Sequence, residues 1–290
     1  MRPTLSLLIF ATLGLLPAPA QDGTKPASVL HIIRETTKEG RAAAHEKIET
    51  EWVMAARRLK DPQHSVALEA LSGGSDLWFI LPTESFASAE DYMKFTAKEP
   101  AQSTYAILDA RDGELRASSQ SLWAVYRPDL SYHVDRLHPA KVRFVALSKY
   151  QARPGRSEDL VSGAKTYLAA MEKAHIDECT LAYQVVAGAP AGTFFFFTMM
   201  DSLKAMDEEQ AHVQAIHEAM GAEAFSGLMK GGSDVLASMD NTLLRVNPEM
   251  SYVDQKIIDA DPGFWKPKPV PAAKPAASSA PAAPEKKSAQ

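Results

Sequence analysis

The chain has 290 residues, of which 46% are hydrophobic and 23% charged, proportions that exclude both a disordered polymer and a membrane-protein body. Lys and Arg number 31 against 36 Asp and Glu, a formal charge of −5, which argues against the basic face of a nucleic-acid binder. The one cysteine, Cys179, excludes an intrachain disulfide and any multi-thiolate zinc or iron–sulfur site.

Residues 1–20 read as a Sec-type secretory leader. Arg2 gives a short positive start, residues 5–16 are apolar but too few to span a bilayer, and Ala18-Pro19-Ala20 offers small residues at the spacing a signal peptidase accepts. The expectation is a secreted or periplasmic protein beginning at Gln21, with no lasting membrane insertion. At the other end, residues 266–290 hold six Pro, eight Ala and no aromatic residue. That composition predicts a disordered, extended tail.

Between these ends the sequence repeats itself. Val125-Tyr126-Arg127-Pro128-Asp129-Leu130-Ser131-Tyr132 matches Arg245-Val246-Asn247-Pro248-Glu249-Met250-Ser251-Tyr252 at an offset of 120. Gly40-Arg41 matches Gly155-Arg156 at 115, and Leu77-Trp78-Phe79-Ile80 matches Phe194 to Phe197 at 117. In chain order, a strand is predicted at 29–34. A helix follows, with apolar positions Ala44, Ile48, Trp52, Ala55 and Leu59 and a stop at Pro62. Strands at 66–71 and 77–81 flank Gly73-Gly74, a helical stretch capped by Ser85 continues to about Ser119, and a last strand at 122–127 ends at Pro128. The second copy gives a strand at 142–147 and a helix through Leu160, Ala164, Tyr167, Leu168 and Met171. Strands at 181–186 and 193–198, a helical stretch from Ser202 to about Met239 and a strand at 242–247 halted by Pro248 complete it.

Strand–helix–strand–strand–helix–strand is the ferredoxin-like order, with one helix-covered sheet face and one bare face. The predicted fold is therefore α+β: two tandem ferredoxin-like (βαββαβ) repeats, residues 28–134 and 142–253, packed sheet to sheet as an intrachain pseudo-dimeric barrel. On this element order, the duplication, the Pro154-Gly155-Arg156 turn and the Pro-x-x-Ser-Tyr exits, the sequence resembles the dimeric α+β barrel superfamily. Within that superfamily it is similar to tandem NIPSNAP-like and antibiotic-biosynthesis-monooxygenase-like proteins. The resemblance implies a cavity between the sheets that takes small aromatic substrates, lactones, quinols or haem.

Alternation along the strands assigns Leu30, Ile32, Val145 and Leu147 to the helix-covered face and the opposite parity to the cavity. The candidate ligand-binding residues are then His31, Glu35, Trp123, Arg127, Tyr150 and Arg245. No metal site is expected, because His212 and His217 stand five apart on a helix and cannot share an ion. No cofactor is expected either, haem excepted, for which the resemblance implies His212 or His217 as axial ligand. Two functions stay open: binding of a small apolar or aromatic molecule between the sheets, and a cofactor-independent monooxygenase or isomerase with His31 as proton shuttle and Arg127 or Arg245 holding an oxyanion. A cavity filled with apolar side chains would instead point to a structural or protein-interaction role. Further self-association is left open.

Overall fold

The β-branched and apolar run after Ser28 forms the first strand of an architecture in which one element order occurs twice. A computed structural model describes residues 25–266; the expected leader and the tail beyond Lys266 lie outside the described residues. The first half comprises β1 (Val29–Thr37), α1 (Ala42–Leu59), β2 (Ser65–Ala70), β3 (Asp76–Thr83), α2 (Phe86–Thr96), α3 (Ala101–Gly113) and β4 (Arg116–Tyr126). The second comprises β5 (Phe144–Ala152), α4 (Ser157–Lys173), β6 (Cys179–Ala187), β7 (Thr193–Met200), α5 (Lys204–Met220), α6 (Ala222–Val235) and β8 (Leu236–Tyr252). Two short helices, α7 (Gln255–Ala260) and α8 (Pro262–Trp265), follow.

The eight strands close into an antiparallel barrel in the order β1-β3-β2-β8-β5-β7-β6-β4. Each half supplies four consecutive strands, and the halves join where β2 pairs with β8 and β4 with β6. Closure leaves no free sheet edge.

The repeated Pro-x-x-Ser-Tyr exits form the seams. Ser131 Oγ accepts from Ala182 N at 2.9 Å while donating to Arg127 O, and Ser251 Oγ accepts from Ala67 N at 2.9 Å while donating to Asn247 O. Tyr132 Oη donates to Ile176 O and Tyr252 Oη to Asp61 O, both at 3.0 Å. Each half thus ends by hydrogen bonding to the other's second strand and to the loop before it.

Several boundaries differ from the sequence reading, and both helical stretches end earlier than expected, at Gly113 and Val235, with β4 and β8 starting at Arg116 and Leu236. Each long helical stretch is two helices, broken at Pro100, whose ring cannot continue a helix, and at Gly221, which takes φ +88°. Ser85 caps α2 by accepting from Ser88 N, but Leu203, not Ser202, stands at the N-cap of α5. Pro248 does not halt β8, because it lies where the register against β2 shifts and no ladder donor is required of it.

The largest difference concerns which strand face is inside. Leu30, Ile32, Leu68, Trp78, Leu122, Ala124, Val145, Leu147, Leu181, Tyr183, Phe195, Phe197, Leu244 and Val246 form one buried cluster drawn from all eight strands and from none of α1 to α6. This cluster is the barrel interior, so the parity assigned to the helices faces inward and the parity assigned to a cavity faces the helices. The interior is packed: Trp78 and Phe197 meet Phe195 edge-on at 5.9 and 6.0 Å, and Ile32, Phe195 and Leu244 are 1% exposed or less. Ile258 and Trp265 of the C-terminal helices belong to the same cluster. Among the described residues no helix is long and apolar enough to cross a membrane.

Candidate functional site

The six sequence candidates lie on the outer face of the barrel and do not form one site. Both arginines are held in ion pairs. Arg127 forks onto both oxygens of Asp129 at 2.9 Å and donates to Gln184 Oε1 at 2.7 Å, with its guanidinium 5.7 Å from the Phe194 ring centre. The Arg127 hydrogen bonds, with the Lys165 ammonium added, hold the Asp129 carboxyl well below its usual range. Arg245 donates to Glu69 Oε2, whose other oxygen accepts from Asn247 at 2.6 Å. Neither guanidinium is free to hold an oxyanion. Tyr150 stands edge-on to Phe196 at 5.6 Å and packs in the apolar layer beneath α4.

His31 and Trp123 do come together, as neighbours in the β1–β4 register, with rings stacked 4.2 Å apart. His31 Nε2 and Ser121 Oγ hydrogen bond at 2.7 Å, and burial lowers the His31 pKa, keeping the imidazole neutral near pH 7. Trp123 lines an open groove of about 240 Å³ with Phe86, Ala89, Glu90 and Met93 of α2 and Ala187 of β6. Phe86 and Met93 are about half exposed there, at 50% and 55%. His31 is not among the lining residues, because Trp123 covers it. The space between the sheets is filled with apolar side chains, the outcome expected of a structural or protein-interaction role, and the open apolar space is a shallow groove outside them.

Glu35 belongs to a different constellation, four strand residues from His31 and beneath α1 and α3. There α1 projects His45 and Glu49, one turn apart, and α3 projects Asp112. His45 is fully buried, and Glu35, Glu49 and Asp112 are buried with it. His45 Nε2 lies 3.1 Å from Glu35 Oε2, 3.1 Å from Asp112 Oδ1 and 3.9 Å from Glu49 Oε1. Arg116 at the start of β4 donates to Glu35 Oε1 at 2.7 Å, to Asp112 Oδ2 at 2.9 Å and to Asp109 at 2.7 Å, and Ser119 Oγ also donates to Glu35. Burial alone would raise the Glu35 pKa, but the hydrogen bonds from His45 and Arg116 outweigh it and hold the carboxyl below its usual range. Burial, with the charges of Asp112 and Glu35, pushes Glu49 well above that range. Burial, with the Glu35 charge added, raises Asp112. Asp112 Oδ1 and His45 Nδ1 are buried without a hydrogen-bond partner.

Sequence reasoning took only Glu35 from this cluster. Its other members are 10 to 81 residues away in the chain, and the one local signal, His45 and Glu49 at i and i+4, was passed over.

In the second half, His212 Nδ1 lies 2.7 Å from Glu178 Oε1, with Glu209 nearby. His217 stands edge-on to Phe225 at 4.9 Å. The α4–α5 interface next to these histidines is filled by Ala170, Met171 and Ile216, a packing that does not fit a haem there. Cys179 is buried, its pKa pushed up to about 11 by burial, so its thiol stays protonated.

No protein-family model matches the sequence, and no curated protein matches it. Solved structures do share the fold. A proposed monooxygenase from Fusobacterium nucleatum is 8% identical, with 76% of this chain and 93% of that chain covered and a TM-score of 0.50. A second proposed monooxygenase, from Lactobacillus acidophilus, is 9% identical over 76% and 94%, with a TM-score of 0.49. A chlorite dismutase from Candidatus Nitrospira defluvii is 9% identical over 82% and 97%, with a TM-score of 0.46. Chlorite dismutase-like proteins are haem proteins, so the expectation that this chain has no cofactor is corrected, and no cofactor is assigned in its place. The likeness shows the architecture and nothing finer, namely an eight-stranded barrel of the dimeric α+β type, here closed within one chain.

Proposed function

We propose that this chain, a tandem NIPSNAP-like arrangement of the barrel, binds a small apolar or aromatic molecule in the groove between α2 and β4, and not between its sheets. The observation that carries the reading is the groove itself: Phe86, Met93 and Trp123 form an exposed apolar wall that Glu90 alone charges. Its volume of about 240 Å³ falls just below the ~300 Å³ at which sites for drug-sized ligands begin, which suits a molecule of one or two rings. His31 supports the wall from behind, fixing the Trp123 ring by stacking. Export through the leader at 1–20 completes the proposal, placing the work outside the cytoplasm.

A monooxygenase or isomerase is the second reading, favoured by the names of the solved neighbours. The groove gives it one carboxylate, Glu90, and no imidazole or guanidinium, so binding stands first. Phenol, indole and 1-naphthol titrated into the full chain by calorimetry test the proposal. Saturable binding that weakens at least tenfold in Trp123→Ala and survives in Trp123→Phe is expected. Binding of none of the three, or binding indifferent to Trp123→Ala, would overturn it, and oxygen uptake with any of them would favour the enzyme.

A further inference from the structure

The second half supplies an internal control for the buried cluster around His45. The strand and helix starts correspond at an offset of 115, and Thr37 opposite Arg116 matches Ala152 opposite Leu236. On that correspondence Glu35, His45, Glu49 and Arg116 face Tyr150, Leu160, Ala164 and Leu236, and all four of these belong to one apolar cluster. The fold therefore needs no charge at this position. Desolvating three carboxylates and a guanidinium costs several kcal/mol per ion in effective terms, and well-packed apolar groups commonly do as well or better there. A charged cluster kept where its counterpart is apolar has a use beyond folding.

Its geometry says which. One atom each from Glu35, His45, Glu49 and Asp112 lies within 4.8 Å of all the others. The three distances from His45 Nε2, 3.1, 3.1 and 3.9 Å, bracket the ~3.3–3.6 Å edge of a tetrahedron whose metal–ligand bonds are ~2.0–2.2 Å. Asp112 Oδ1, on a residue only 2% exposed, points into this space without a hydrogen-bond partner. With all three carboxylates ionised, as metal ligands must be, the Arg116 guanidinium leaves two negative charges for one dication to balance. Arg116 and Ser119 already hold Glu35 from outside the four donor atoms, as supporting hydrogen bonds orient metal ligands.

We propose that Glu35, His45, Glu49 and Asp112 bind one divalent transition-metal ion, clamping β1, α1 and α3 together. Four protein donors and full burial are the pattern of a closed, structural site, and the single imidazole among carboxylates favours a borderline ion such as Zn²⁺ over Mg²⁺ or Ca²⁺. Binding takes the lone pair of His45 Nε2, so the proton now shared with Glu35 must leave that atom, by release or by a shift to the unpartnered Nδ1.

The test uses the full chain, stripped with a chelator and also refolded with Zn²⁺ so that burial does not block loading. Elemental analysis should find one Zn²⁺ per chain. The melting temperature should rise by about 5–10 °C at a hundredfold excess over Kd, with no rise for Mg²⁺. Glu49→Gln and Asp112→Asn should each lower affinity at least tenfold. His45→Leu/Glu49→Ala, which installs the second half's residues, should fold and lose the response. His212→Ala, which disables the partly exposed Glu178–Glu209–His212 group, should leave it unchanged. Substoichiometric zinc after refolding, or a response lost in His212→Ala and kept in Glu49→Gln, would overturn the proposal.

Discussion

Replacing Phe195 with Ala tests whether the barrel is filled. The ring is 1% exposed, on β7, and meets Trp78 and Phe197 edge-on inside the interior cluster. Removing it deletes most of a buried aromatic side chain from a closed wall of strands that cannot collapse inward, so the loss should fall in the usual range of about 3–5 kcal/mol. At roughly 2–4 °C per kcal/mol for a domain of this size, the melting temperature should drop by about 6–20 °C. The hole left behind is apolar and dry, and holes of that kind take up benzene. Thermal melts with and without saturating benzene should therefore show partial rescue of the variant and no stabilisation of the parent through the interior. A loss below about 1 kcal/mol, the size of an average substitution, would refute the packed interior, as would benzene stabilisation of the parent that persists when the groove is removed by Trp123→Ala.

Three further outcomes follow from features already described. Ser131→Ala and Ser251→Ala each strand a strand N–H, of Ala182 and Ala67, and should each cost about 1–3 kcal/mol by urea unfolding, adding when combined. Glu49 keeps its proton in the folded state above its ordinary value of 4.5, so stability should fall as pH rises from there through the folded value. Glu49→Gln should flatten that decline in metal-free protein, while the loss tied to Glu35, whose pKa is lowered, appears only at acid pH. Gly188 has φ +87° and a Cβ built on it would lie 2.1 Å from Ser121 O, so Gly188→Ala should cost more than about 1 kcal/mol, read as a drop in melting temperature.

The order of elements was legible because the duplication let each half check the other, and because Pro62, Pro128 and the glycine turns punctuate both. The facing of the strands was not. Val29 and Ile33 are as apolar as Leu30 and Ile32, since a barrel wrapped in helices buries both sides of each strand, and alternation then carries no sign. Polar residues such as His31 and Glu35 looked like cavity groups, yet they are tolerated outside because Trp123 covers one and α1 with Arg116 covers the other. The groove escaped notice because α2 and the end of β6 come together only in three dimensions, and no local pattern links Met93 to Ala187. Asp112 carries no local sequence mark, because its burial depends on α3 lying against α1 through Ala55, Ala101, Tyr105 and Leu108.

The reciprocal seams bear on how this molecule would exchange parts. Either half of one chain could in principle satisfy the seam bonds of another chain's opposite half, the usual route to swapped dimers. Two features oppose that route. The tether between Tyr126 and Phe144 keeps the halves at millimolar effective concentration for each other, far above that of a neighbouring molecule in dilute solution. The C-terminal helices then fasten the tether: Trp265 Nε1 donates to Ala140 O at 2.9 Å, and Asp261 holds both Lys141 and Arg143. The last two helices thus act as a clasp on the crossing between halves, and a chain cut after Tyr252 would keep every strand while losing the fastening that commits it to closing on itself.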